Sequence, residues 1–474
     1  MQYIIMIFSH LKPFPPLSLL TRTFSHNAGP HIAVVGAGPA GYYATQHIAK
    51  ALPNSTIDMY EKLPVPYGLV RYGVAPDHHE VKNCITTFSK TANSQNVNFI
   101  GNTALGREIS LDKLTSNYHA VLLTYGTEGD RMLGVEGEHL DNVIPARDLV
   151  SLYNGLPGYD DYTVNLDTDT MLVVGVGNVS LDVARMVLTP VDKLRLTDVT
   201  ERWLEQRIKS RVKKVVLVGR RGPLEVSFTI KELRELVKLE GARPVFCKED
   251  YDGVKELLGT LARPKKRLTE LLVKTALDTP DKKTVERWAG ADKEWHLKLF
   301  RSPLKFLAGS DSDSVSSAVL GVNISDGEGG VVDTGRVETV DCGLVVRSVG
   351  FKSVVVDPAL PWDENKCVVP NIDGRVVGRP GMYVAGWVGT GPRGVIIDTM
   401  NTAFRVGAVM VDDLKKMPID GRQGRSGLQK CLTNSTTWED WLRIDNEERE
   451  KGEKLGKIRE KVVRVEDMLD IIGR

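Results

Sequence analysis

HIAVVGAGPAG, residues 31–41, followed by IDMYEK, residues 57–62, decides the fold. The apolar run before Gly36 suits a buried parallel strand, and the glycines then turn the chain into a helix. Gly36 permits the tight turn, Gly38 lets the backbone approach a phosphate, and Gly41 lets helix pack on strand. Glu61 lies 20 residues after Gly41, where a carboxylate accepts hydrogen bonds from a ribose 2′-hydroxyl and repels a 2′-phosphate.

A second fingerprint follows. MLVVGVGNVSLD, residues 171–182, repeats the strand, turn and helix, and VVLVGRR, residues 215–221, is its second strand. Gly175 and Gly177 are present, and Ser180 replaces the third glycine. Arg220 comes 45 residues after Gly175, so a charged, helix-like insertion at 189–214 separates helix from strand. Arg220 and Arg221 reverse the logic of Glu61 and suit a 2′-phosphate. The pair of sites reads as FAD first and NADPH second.

The chain has 474 residues, 42% of them hydrophobic and 26% charged, enough for two or three domains. A net charge of +1 gives no global field for nucleic acid. Arg263, Lys265, Lys266 and Arg267 nevertheless cluster in LARPKKRLTELLVKTA, as a solvated face, a nucleic-acid contact or a dock for an acidic protein. Five scattered cysteines, Cys84, Cys247, Cys342, Cys367 and Cys431, form no C-x-x-C. A redox dithiol, a zinc ribbon and an iron–sulfur cluster held by this chain are therefore not expected, nor is a metal site. Residues 1–30 contain no acid and carry Lys12 and Arg22 among Ser, Thr, Phe and Leu, like a mitochondrial transit peptide; a secretory signal would need a basic start and a small-residue cleavage site. No apolar stretch is long enough to span a membrane, so any inner-membrane association is expected to be peripheral.

The expected organisation is an α/β chain of two Rossmann-like domains. Residues 1–30 are a leader, 31–128 begin the FAD domain, 129–351 form the NADPH domain inserted into it, and 352–474 complete the FAD domain. PGMYVAGWVGTGPRGVIIDTMNTAF, residues 380–404, supplies the returning strand, turn and helix. SDSDSVSS, residues 310–317, reads as a surface loop, and the Glu/Lys/Arg-rich tail from Trp438 as exposed helix.

GPAGYYATQHIAK, YEKLPVPYGLVRYGVAPDHHEVKN, GNVSLDVARMVLTP, VGRRGPLEVSFTIKELREL, RPKKRLTELL and GWVGTGPRGV together resemble the mitochondrial NADPH:adrenodoxin (ferredoxin) oxidoreductase family, from about residue 31 almost to the C-terminus. That family has a glutathione-reductase-like fold and passes electrons from NADPH through FAD to a small acidic [2Fe–2S] ferredoxin. The resemblance implies Ala40, Glu61, Leu69 and Leu105 beside FAD, with Trp387, Gly394, Val395 and Ile396 at its flavin end. It implies Val176, Gly177, Asn178, Val179, Arg220, Arg221, Glu232 and Gly394 on NADPH. His78 and Asp182 match a polar pair assigned to proton handling or to coupling with the partner, and Arg263 and Arg267 match basic docking positions for ferredoxin. It also implies a location in the mitochondrial matrix.

Three departures stand out. Val176 replaces a usual glutamine, Gly389 and Thr390 replace Lys-Arg, and Arg393 with Ile397 and Asp398 alters the turn before the last long helix. Arg393 and Asp398 could change turnover or pair with each other. Rival readings separate on features: a thioredoxin- or glutathione-type reductase needs a dithiol, a glutamate-synthase small subunit needs an N-terminal cysteine-rich region, and an NADPH-sensing protein would not reduce its flavin.

Overall fold

The computed structural model describes residues 29–310 and 313–474. The leader expected over residues 1–30 lies outside them, apart from Gly29 and Pro30.

The first fingerprint folds as strand His31–Val35, helix Pro39–Ala51 and strand Thr56–Tyr60. Ile32, Ala33 and Val34 are completely buried, as expected of a strand covered on both faces. Pro39 starts the helix where its missing N–H has no intrahelical partner to lose. These strands belong to a seven-stranded sheet. Its order is Asn371–Ile372, Arg375–Val376, Met382–Val384, Ala120–Leu123, His31–Val35, Thr56–Tyr60, Val97–Ile100. Met382–Val384 pairs parallel to Ala120–Leu123, so the C-terminal third completes a sheet that the N-terminal third begins. The helix that follows, Ile396–Leu414, packs on Pro39–Ala51. Phe404 meets Tyr43 edge-on at 5.6 Å, and a Cβ on Gly407 would stand 3.3 Å from the Ala44 carbonyl oxygen.

The second fingerprint lies in a separate six-stranded sheet. Its order is Val143–Pro145, Leu344–Arg347, Thr170–Val174, Lys214–Val218, Lys293–Lys298, Ala242–Phe246, with every pairing parallel. A three-stranded antiparallel sheet, Arg301–Ala308, Val315–Ser325 and Val331–Asp341, covers one face. Phe306, Ala318 and Leu320 pack there with Leu172, Val174, Val216 and Val218. The expected loop at 310–317 is therefore shorter, because Val315 already sits in a ladder with Ala308. Helices Val191–Leu194 and Glu201–Ile208 occupy the insertion between 189 and 214. The chain passes between the two sheets at Gly129–Asp130 and returns at Phe351–Lys352, and these segments pair antiparallel as a two-stranded ribbon.

The charged tail is helical, as its composition suggests, but only one face of it is exposed. In Trp438–Lys454, Trp438, Trp441 and Ile444 enter the core of the first domain. Glu448 is completely buried, paired with Arg71 and, at 3.0 Å, with Arg459. Further on, Lys457 reaches Glu201 at 2.8 Å, and Lys461 reaches Asp198 at 3.2 Å, beside Lys82 at 2.8 Å. The tail is thus a strap laid over both domains. Its buried charges, Glu448, Lys457 and Lys461, each meet an opposite charge from another element.

Candidate functional site

The two glycine turns stand at the carboxyl ends of their parallel strands, where open α/β sheets bind ligands. Gly36 has φ +108°, and a Cβ there would lie 2.6 Å from the Thr124 carbonyl oxygen. A Cβ on Gly41 would lie 2.1 Å from the Gly36 oxygen. Gly38 differs: nothing stands within 4 Å of the space its Cβ would fill. That gap, at the N-terminus of a helix, fits the close approach of a pyrophosphate. Glu61, only 8% exposed, accepts from the amides of Ala37 at 2.9 Å and Leu63 at 3.2 Å, which leaves carboxylate lone pairs free. Burial raises its pKa, and the Ala37 amide partly offsets this.

Segment 386–396 abuts this turn, since a Cβ on Gly386 would stand 2.6 Å from that of Ala40. Trp387 donates its ring N–H to the Arg393 carbonyl at 3.2 Å and stacks on Phe351 at 6.1 Å. Leu69 is 39% exposed and Val395 42%, whereas Leu105 is buried in the core. Gly394 has φ +78°, and Ile396 opens the long helix. Arg393 and Asp398 form no ion pair among the described residues; Asp398 instead accepts the Val395 amide at 2.9 Å.

The second turn repeats the geometry. Gly175 has φ +128° and lies under the Ser348 carbonyl, while the space beyond Gly177 is open. Ser180 accepts the Gly177 amide at 3.3 Å through its hydroxyl, which explains why a serine serves there. The Val176 carbonyl accepts the Ser227 amide at 3.0 Å, and Asn178 Oδ1 accepts the Thr229 amide at 2.7 Å. Val176 and Asn178 thus hold the loop after the arginine turn close to the fingerprint, with Val179 half-buried beside them. Arg220 and Arg221 are exposed, and neither has an ion-pair partner among the described residues. Their backbone is fixed: Phe300 donates to the Arg221 carbonyl at 3.2 Å, and the Phe300 ring occupies the space above Gly222.

Between the domains lies a cluster that only the fold assembles. Donor atoms of His78, Asp182 and Glu232 fall within 4.8 Å of one another. His78 Nε2 meets Glu235 at 2.7 Å, and Arg185 binds Asp77 at 2.6 Å and Asp182 at 2.7 Å. Burial raises the pKa of Asp182 against the pull of Arg185, and burial with the Asp182 charge raises that of Glu232. Asp77 goes the other way: burial is outweighed by its bonds to Arg185. Two carboxylates and a histidine could hold a cation, yet Arg185 already engages Asp182 and Glu235 already engages His78. Sequence reading pairs His78 with Asp182 and assigns Glu232 to NADPH instead, and it misses Asp77, Arg185 and Glu235. The i,i+3 spacing of Asp182 and Arg185 on helix Asn178–Leu188 was the available signal.

Arg263, Lys265 and Arg267 stand exposed on helix Arg263–Leu277, whose other face buries Thr269, Leu272, Val273 and Ala276. Lys266 lies 4.0 Å from Glu270. All five cysteines are free thiols, and no described helix is long and apolar enough to cross a membrane.

Comparison with known proteins agrees with this geometry. Residues 34–100 match the model of a family described as an NAD(P)-binding Rossmann-like domain. The mitochondrial NADPH:adrenodoxin oxidoreductase of Salvelinus fontinalis is 46% identical, over 94% of this chain and 91% of its own. The Homo sapiens protein of that name is 45% identical over 96% of this chain and 95% of its own. A solved structure, Mycobacterium tuberculosis FprA in complex with NADPH, superposes with a TM-score of 0.86 at 34% identity, over 94% of this chain and 99% of that one.

Proposed function

From this chain's membership of the mitochondrial NADPH:adrenodoxin oxidoreductase family, we infer how its residues carry out that family's reaction. The protein is a mitochondrial, FAD-dependent oxidoreductase that takes electrons from NADPH and delivers them to an adrenodoxin-type ferredoxin. Its fold is a pair of Rossmann-like domains, the NADPH domain inserted into the FAD domain. The proposed boundaries are 31–128 and 352–474 for the FAD domain and 129–351 for the NADPH domain, supported by the ribbon of Gly129–Asp130 with Phe351–Lys352.

The observation that carries the residue assignments is the opposed chemistry of two otherwise similar turns. Each has an open glycine, Gly38 or Gly177, at a helix N-terminus; one is followed by buried Glu61, the other by unpaired Arg220 and Arg221. Gly36, Gly38, Ala40, Gly41 and Glu61 hold the FAD diphosphate and ribose. Leu69 and Trp387, with Gly394, Val395 and Ile396, shelter the ring, and Leu105 supports the floor. Gly177 and Val179 receive the NADPH diphosphate, Arg220 and Arg221 its 2′-phosphate, and Gly394 its nicotinamide end. FAD, when bound, supplies the ability to take a hydride and release electrons singly. The chain's own contribution is to align the two rings, to keep water out, to handle protons at the His78 and Asp182 pair, and to meet NADPH with Glu232 beside that pair. Arg263, Lys265, Lys266 and Arg267 dock the ferredoxin, an acidic [2Fe–2S] protein.

The test is anaerobic titration of the purified yellow protein. NADPH should bleach the flavin far more readily than NADH, and cytochrome c reduction should depend on added ferredoxin. Equal bleaching by both coenzymes would remove the assignment of Arg220 and Arg221.

A further inference from the structure

Asp398 sits where the first crevice must continue outward. Helices Pro39–Ala51 and Ile396–Leu414 both return from strands parallel to Ala120–Leu123, so they run in the same direction. Gly407 packs on Ala44, and Phe404 on Tyr43. Measured from these two contacts, the second helix begins about four to six residues further out than the first, or about 6–9 Å at the helical rise. Its first turn therefore stands beyond the phosphate turn, over the part of the crevice that a dinucleotide's ring must reach. The side chains there fit a ring: Trp387, Leu69, Val395 and Ile397 leave apolar surface exposed, Ile397 being 58% exposed.

Into this apolar rim Asp398 brings a carboxylate. Its Oδ2 accepts the Val395 amide and lies 2.5 Å from the space a Cβ on Gly394 would occupy. The carboxylate has no ion-pair partner among the described residues, and neither does neighbouring Arg393. Two effects follow. One of the free N–H groups of a 19-residue helix is spent on Asp398 instead of facing the crevice. The carboxylate also opposes the positive end of the helix dipole, which would otherwise favour a gain of negative charge nearby.

We propose that Asp398 is a positioning residue that sets the flavin's midpoint potential, holding it lower than an uncharged side chain would. The bound flavin is then harder to reduce and a stronger donor to ferredoxin. This rests on FAD occupying the first crevice. The experiment compares wild type, Asp398→Asn and Asp398→Glu as purified holoenzymes, by flavin content and by potential in a dye-equilibration titration. Asp398→Asn keeps an oxygen for the Val395 amide and removes only the charge. Full flavin content with a more positive potential in Asp398→Asn, and a wild-type potential in Asp398→Glu, supports the proposal. Full flavin content with an unchanged potential in Asp398→Asn overturns it and leaves Asp398 a helix cap, with the FAD assignment intact. Wild-type protein that folds but neither contains nor takes up FAD overturns both. Asp398→Ser, whose hydroxyl also accepts from that amide, provides the same comparison if the Asn variant does not fold.

Discussion

Gly36 and Gly38 stand two positions apart and answer to different constraints. Gly36 has a positive φ and backbone against its missing Cβ, so Gly36→Ala should yield little folded protein. Gly38 has an ordinary φ of −90° and empty space around its Cβ position. Gly38→Val should therefore fold with a near wild-type apoprotein Tm and fail to retain FAD; flavin recovery together with thermal unfolding checks both halves. Arg220 and Arg221 allow a similar separation. Charge-assisted hydrogen bonds contribute about 1.5–3 kcal/mol each, so each Arg→Gln change should weaken NADPH about ten- to a hundredfold. NADH, which lacks the 2′-phosphate, should be nearly unaffected. Steady-state KM values for both coenzymes decide the matter.

Among elements, the basic helix and the C-terminal strap make contrasting use of charge. On helix Arg263–Leu277 the charges face water, where screening acts over a Debye length of about 8 Å at 0.15 M salt. Arg263→Glu with Arg267→Glu should abolish ferredoxin-coupled cytochrome c reduction while leaving flavin reduction by NADPH intact, and rising salt should slow the coupled reaction more than direct ferricyanide reduction. In the strap, three charged side chains, Glu448, Lys457 and Lys461, are buried. Burial drives the Lys461 pKa down to about 7, despite the Asp198 carboxylate beside it. Above that pH the unfolded chain binds a proton at Lys461 that the folded chain does not, so this group makes stability rise between about pH 7 and 10. Lys461→Met should flatten that part of the Tm-against-pH curve. The contrast also explains what could be read in advance. The glycine turns, Glu61 and the arginine pair are local patterns, each complete within a few dozen residues. The strap's burial depends on pairs such as Arg71 with Glu448, 377 positions apart, and no periodicity announces a partner so distant. The cluster around His78 was half legible for the same reason, since Glu235 reaches it from 157 positions away.

For the whole molecule, the two sheets differ in how they are closed. Every strand of the six-stranded sheet lies between residues 143 and 347, whereas the seven-stranded sheet needs Met382–Val384 beside Ala120–Leu123. Residues 129–351 expressed alone should therefore give a cooperatively unfolding protein that binds NADPH, and residues 31–128 alone should not fold. Circular dichroism and retention on an immobilised nucleotide test this. The interrupted sheet also imposes a schedule on a chain that enters its compartment from the N-terminal end. The first nucleotide-binding half emerges earliest yet waits, its Ala120–Leu123 edge unsatisfied, while the middle of the chain is completed. The strap comes last of all and carries the Trp438 and Trp441 side chains that the waiting half needs for its core. Shielding that idle edge is thus a job for chaperones during import, and loss of the last few dozen residues would be felt first as aggregation of the oldest part of the chain.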